Sequence, residues 1–223
     1  MEKGVTVSYE PLALTPELHS YLLAHSTPPD EITAELIAET RATLPDNATM
    51  QIGPEQAAFM RMLSSVMGVR NAVEVGTFTG LSSLSIARGM AAGGRLICFD
   101  ISEKYTEVAR RYWERAGVAD RIELRIGPAA EGLPELPGDS YLDLVFIDAD
   151  KPGYPTYWNA LVPRVRVGGV LLVDNTLWSG RVANPASDSD RVIADFNDMV
   201  LADDRVEVVI LPISDGLTMA RKL

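Results

Sequence analysis

Thiols and imidazoles are nearly missing from this chain: its 223 residues include one cysteine, Cys98, and two histidines, His19 and His25. One thiol cannot close an internal disulfide, and so few soft ligands leave little material for a zinc site. Cys98 sits within Leu96-Ile97-Cys98-Phe99 and is expected in a buried strand. His19 and His25 lie far along the chain from the acidic motifs described below and are read as structural or surface groups. Long apolar runs are missing too, and none approaches the ~20 residues that a membrane span needs. The opening MEKGVTVSYEPL lacks a basic start followed by an apolar core, so no export is expected, and a reducing cytoplasm fits best. Bases are scarce: 20 Lys and Arg stand against 31 Asp and Glu, a formal charge of −11, with no basic cluster. Phosphate neutralisation supplies most of a nucleic-acid binder's affinity, so that partner is disfavoured.

What remains suits one soluble domain. Hydrophobic residues make up 47% and charged residues 23%, and the length is enough to bury a substantial core. From Asn71 onward, short β-branched runs at 72–75, 95–100, 121–126, 142–148, 169–174, 205–211 and 217–221 alternate with segments of helical spacing, such as 82–90, 104–115 and 154–165. This alternation predicts a doubly wound α/β sheet. The continuous runs around Val145-Phe146-Ile147 and Val170-Leu171-Leu172-Val173 predict central strands covered on both faces. Only Pro212-Ile213-Ser214-Asp215-Gly216 separates the last two runs, which suits an antiparallel hairpin. Residues 1–70 read as a helical cover on a 71–223 core, with helix starts at Thr15-Pro16, Pro29-Asp30 and Gly53-Pro54. Residues 179–190 are polar and read as a mobile surface loop.

Chemistry-bearing residues gather where apolar runs stop, and in parallel sheets ligands bind outside the carboxyl ends of the strands. Glu74 ends the first run and precedes Gly76-Thr77-Phe78-Thr79-Gly80, a strand-to-helix turn with glycine at both ends. Phe78 stands where a dinucleotide fingerprint has its second glycine, so a ligand without phosphates fits better than NAD. Asp100 ends the second run, and a carboxylate there can accept from both hydroxyls of a ribose. For Glu74 and Asp100 a solvated strand end is the structural alternative. Asp148, Asp174 and Asn175 offer two carboxylates and an amide oxygen without a nearby Cys or His, which suits Mg²⁺. An Asp-Asn pair can equally serve a simple turn. Trp178 can wall an aromatic ligand or pack as ordinary core, and Met50 is open to the same two readings.

The run FIDADK at 146–151, DNTLWSG at 174–180 and the terminal DGLTMARKL together resemble the cation-dependent, S-adenosylmethionine-using O-methyltransferases, the group of the catechol and caffeoyl-CoA enzymes. The resemblance extends from about Met50 to Leu223. It implies a single S-adenosylmethionine-dependent methyltransferase domain over 1–223. The implied fold is α/β, class I and Rossmann-like, with a mostly parallel seven-stranded sheet and an antiparallel C-terminal strand. It implies cofactor contacts from Ser82, Thr77, Asp148 and the backbone near Ile52, Gly76 and Ala129, with Asp150 near the cofactor's amino group. It also implies that Asp148 acts in catalysis, that Lys151 handles the phenolic proton, and that the acceptor is a small aromatic diol beside Lys151, Trp178 and Ser179. Ser179 departs from the asparagine of the plant caffeoyl-CoA members, which weakens transfer of their substrate preference. Residues 1–50 hold eight acids but only Lys3 and Arg41 as bases, so a free catechol fits better than a phosphate-bearing coenzyme A thioester. A homodimer is expected, from family habit and from apolar residues such as Leu18, Leu22, Leu36 and Ile37. The rival readings are a nicotinamide-dependent oxidoreductase and a non-catalytic binding protein on the same sheet.

Overall fold

The computed structural model describes residues 12–223. The opening stretch behind the expectation of no export lies almost wholly outside them, as does Lys3. Among the described residues no helix is long and apolar enough to cross a membrane. Seven strands form one sheet: β1 (Asn71–Val75), β2 (Arg95–Asp100), β3 (Ile122–Ile126), β4 (Leu142–Ile147), β5 (Val165–Val173), β6 (Val206–Leu211) and β7 (Leu217–Lys222). Their order is β3-β2-β1-β4-β5-β7-β6. The first five strands pair in parallel, while β7 runs antiparallel to both β5 and β6. The expected hairpin and the antiparallel C-terminal strand are both present.

Alternate residues of the central strands enter different cores, as a pleat with period two requires. Val73, Val75, Val145, Ile147, Leu171 and Val173 pack with Trp158 and Leu161 of α7 (Tyr154–Leu161) and with Ile193 and Phe196 of α8 (Asp188–Leu201). Ala72, Leu144, Phe146 and Leu172 face the other way, against Met60 of α3 (Pro54–Met67) and Ile86 of α4 (Leu81–Gly89). Every residue of β4 is buried. The remaining helices are α1 (Pro16–Ala24), α2 (Glu31–Thr43), α5 (Glu103–Arg115) and the single turn α6 (Ala129–Gly132).

Local chemistry explains the helix ends. The Thr15 hydroxyl accepts from the Leu18 amide, and the Asp30 carboxylate accepts from Thr33, each capping orphan N–H groups at a predicted start. Segment 154–165 is helical only to Leu161. Pro163 cannot continue the ladder, so a 3₁₀ turn follows and β5 begins at Val165, earlier than the 169 expected from the glycine pair Gly168-Gly169.

Segment 179–190 departs further from its expected character as a loop. Residues Trp178–Ala183 form 3₁₀ turns, and Ser187 and Asp190 close a reciprocal capping box that starts α8. Asp190 is buried and pairs with Arg181 at 2.9 Å. Polar residues here serve a helix start, which composition alone does not distinguish from a loop.

The cover is fastened by charge and by hydroxyls. Asp30 pairs with Arg88 of α4, while Glu39 and Glu35 of α2 pair with Arg111 and Arg115 of α5. Gln51 donates to both Thr40 and Thr79 at 3.0 Å, and Thr40 donates to Thr79 at 3.0 Å. Leu36, counted above among residues seeking a partner outside the subunit, is fully buried within it.

One glycine sets the spacing of the sheet's ligand-facing end. Gly76 has φ +92°, and a Cβ there would stand 2.0 Å from the Asp148 carbonyl oxygen. Gly76→Ala therefore collides with backbone and forces a left-handed residue at once. It should cost at least ~2 kcal/mol in urea unfolding, and an unchanged denaturation midpoint would contradict this account.

Candidate active site

A cavity of about 1030 Å³ opens at the carboxyl ends of the central strands. Of the residues singled out from sequence, Ile52, Gly76, Thr77, Ser82, Asp100, Ala129, Asp148, Asp150, Lys151, Asp174, Asn175 and Trp178 all line it, and so does Met50. Glu74 and Ser179 do not belong to that lining. Glu74 is completely buried, and Ser179 is exposed, its amide bound to the Asp215 carboxylate at 2.5 Å. His25 stacks on Tyr21 at the surface, and His19 lies 3.3 Å from Glu55, neither reaching the cavity.

The glycine turn is held by Asp100. One of its carboxylate oxygens accepts from the amides of Thr77 at 2.9 Å and Phe78 at 2.7 Å, and the other accepts from Ser102 at 2.7 Å. A carboxylate has about four acceptor positions. Three are committed to the fold. Phe78 sits at φ 50°, a conformation costly for a residue with a large side chain, and its ring packs edge-on against Tyr105 at 4.9 Å.

Glu74 lies under this turn. Neither carboxylate oxygen has a hydrogen-bond partner of normal geometry, although Ser82, Thr77 and Cys98 lie near enough to ease its charge. Burial pushes its pKa up to about 8, with the charge of Asp148 adding to the rise. A buried carboxyl without partners is costly to ionise.

The second half of the site couples β4 to β5. Asp148 follows β4, and Asp174 follows β5. Lys151 Nζ donates to Asp148 Oδ1 at 3.0 Å and to the hydroxyl of Tyr154 at 2.6 Å. Tyr154 is wholly buried, and its hydroxyl donates to the Asp174 backbone carbonyl at 3.1 Å. Burial and the surrounding carboxylates hold that phenol well above its usual range, so it keeps its proton. Asp174 accepts from Gln56 at 2.9 Å and from the Asn175 amide at 2.7 Å. Burial raises the pKa of both aspartates, and the charge of Asp148 raises that of Asp174 further, to about 7. Asn175 takes φ 56°, which asparagine tolerates better than most residues.

No cluster of three or more His, Cys, Asp or Glu side chains able to hold a metal occurs among the described residues. The candidate set is two carboxylates and an amide oxygen, hard donors only. Both carboxyls have raised pKa values, Asp174 partly through the charge of Asp148, and a nearby cation would stabilise their ionised forms, so the donor set fits a divalent ion.

Asp150 is pinned on both oxygens, by the Gly153 amide at 3.0 Å and the Tyr157 hydroxyl at 2.5 Å. Trp178 is half-buried, with the Arg181 guanidinium 4.9 Å above its ring. Sequence reasoning missed Gln56, Tyr154 and Tyr157. The two tyrosines follow Lys151 at spacings of three and six, one face of a helix, which is a usable signal. Gln56 lies 118 residues from its partner, and no local pattern marks it.

The Glu74 carboxyl has a testable effect on stability. Its native pKa of about 8 exceeds the ordinary 4.5, so the native state holds a proton that the unfolded chain releases. Its stabilising contribution is complete below the ordinary value and is lost as pH rises through about 8. Glu74→Gln, which cannot ionise, should match the wild type near pH 5 and melt higher than it near pH 9. Equal melting temperatures at both pH values would contradict the assignment.

Comparison with known proteins agrees with this geometry. A family model described as O-methyltransferase matches residues 23–223. Tricin synthase 1 of Oryza sativa is 38% identical over 189 residues, covering 78% of this chain and 75% of its own length. The caffeoyl-CoA O-methyltransferase of Petroselinum crispum is 33% identical over 234 residues, covering 99% and 97%. Among solved structures, an O-methyltransferase from Bacillus cereus in complex with SAH superposes with a TM-score of 0.83 at 31% identity, covering 93% of this chain and 97% of that one. These matches set aside the oxidoreductase and non-catalytic readings. The chain belongs to the O-methyltransferase family and is an enzyme of that class.

Proposed function

We propose that this enzyme transfers the methyl group of S-adenosylmethionine to one hydroxyl of a catechol-type aromatic, with Mg²⁺ or a similar cation held by Asp148, Asp174 and Asn175. The observation that carries this reading is the meeting of Lys151, Asp148 and Asp174 in the same cavity as the glycine turn. When bound, S-adenosylmethionine supplies an electrophilic methyl on a sulfonium, and the cation supplies positive charge that favours an ionised hydroxyl. In this chain, Asp100 and the turn it braces would hold the nucleoside, with Ser82 and Asp150 toward the amino-acid portion. Lys151 would take the proton from the acceptor hydroxyl. Trp178 would border the aromatic ring. The largely buried setting favours a step in which opposite charges cancel, and orientation of the reactants contributes ~7–11 kcal/mol in favourable cases.

A small phenol suits the cover better than a coenzyme A thioester. Three acids of that region are already paired with Arg88, Arg111 and Arg115. Bases are nevertheless scarce: Arg41, beside a smaller recess of about 380 Å³, is the single Lys or Arg within residues 12–50. We also propose a homodimer, supported by Tyr21, Leu22, Met62 and Val66, which remain exposed. Light scattering should give twice the mass of one chain, and a single-chain mass at working concentration would reject the dimer.

The cation and acceptor assignments can be tested together. Asp174→Ala should abolish cation-dependent turnover while leaving cofactor affinity unchanged, and excess EDTA should silence the wild type. Adjacent hydroxyls can fill two positions that a three-oxygen protein set leaves open, whereas a monophenol fills one. A catechol should exceed its monohydroxy analogue by at least ~100-fold in kcat/KM, about 2.7 kcal/mol. Full activity in EDTA, or equal rates for both phenols at saturating Mg²⁺, would overturn the respective assignment.

A further inference from the structure

We infer that Tyr154 is a positioning residue, whose buried hydroxyl fixes the direction in which Lys151 exchanges a proton with the acceptor. The inference rests on the proposed role of Lys151 and adds the device that aims it.

The hydrogen bonds determine the argument. The Tyr154 hydroxyl has one proton, and it is directed to the Asp174 carbonyl oxygen at 3.1 Å. Toward Lys151, at 2.6 Å, the same oxygen can therefore only accept. A second Lys151 N–H points to Asp148 Oδ1 at 3.0 Å. Nitrogen in an amine has four tetrahedral directions, and the side-chain carbon occupies one. With two N–H groups committed, a single direction is left. In the neutral amine that direction carries the lone pair, and in the ammonium it carries the third N–H. Lys151 lines the cavity, so proton exchange with an acceptor must use this fourth direction.

A lysine on a flexible four-carbon stem does not hold such an orientation alone. Tyr154 supplies the restraint. Its ring is wholly buried and packs edge-on against Phe196 at 5.3 Å, so the hydroxyl is as fixed as the core. Through the Asp174 carbonyl, the restraint ties the base following β4 to the strand end of β5. Asp148 alone leaves Nζ free to turn about one hydrogen bond.

Tyr154→Phe keeps the ring and removes the hydroxyl. Expected is a ~10- to 100-fold fall in kcat, the scale of a lost orientation, with KM and the cofactor dissociation constant within twofold of wild type and melting temperature little changed. In a Lys151→Met background the same substitution should cost less than twofold, because no amine remains to be aimed. A purely structural role would instead give the same factor in both backgrounds. An independent readout is the ε-carbon NMR signal of Lys151 in uniformly ¹³C-lysine-labelled, ligand-free protein. The chain has four lysines, at 3, 104, 151 and 222, so the signal is identified by its loss in Lys151→Met. Tyr154→Phe should shift that signal and leave the other three in place. A Tyr154→Phe enzyme with wild-type kcat, equal losses in both backgrounds, or an unmoved Lys151 signal would overturn the positioning role. Unimpaired turnover by Lys151→Met alone would overturn the reading of Lys151 as the base, a separate and distinguishable failure.

Discussion

Three carboxyl groups meet at neighbouring strand ends, Glu74 and Asp174 buried and Asp148 largely so, and the rest of the site follows from that. Glu74, Asp148 and Asp174 end or follow β1, β4 and β5, strands that lie side by side. Burial raises the pKa of each. Such an arrangement is unfavourable for an isolated fold, since like charges in a poorly solvated space oppose ionisation. The surrounding structure offsets it in specific ways: Lys151 against Asp148, Gln56 and an amide against Asp174, and nothing of normal hydrogen-bond geometry against Glu74. The unequal treatment divides the cavity. One end is braced by a lysine, a glutamine and an amide, and the other keeps a buried carboxyl without partners.

Close approach makes the concentration of charge feasible. With no side chain at Gly76, the turn after β1 lies directly against the backbone that follows β4. That contact draws the glycine turn and the acidic turn into one cavity. The same economy appears in Asp100, whose carboxylate organises the turn before any ligand arrives. Fold and site thus share atoms, and a substitution at Asp100 alters both.

The sheet was legible because its signals are local. Continuous apolar runs mark β4 and β5, and seven strand runs were placed within a residue or so at most ends. Proline and glycine obscured two boundaries: Gly168-Gly169 concealed the start of β5, and polar residues before α8 concealed a capping box. The strand-end acids were readable because topology alone brings such positions together. Gln56 was not, since its partner is remote in sequence, and Tyr154 was not singled out within its helical segment. Composition does not show which charges are already engaged: Asp30, Glu35 and Glu39 of the acidic N-terminal region pair with arginines of α4 and α5.

The knot formed by Thr40, Gln51 and Thr79 has a mechanical meaning. Two hydroxyls and one amide, with Thr40 and Thr79 fully buried, link the helix of the cover to the cofactor turn. Lifting that helix strands these polar groups unless water enters beside the turn. The cover helix and the glycine turn are therefore joined as a single part, and a change that loosens one is expected to loosen the other.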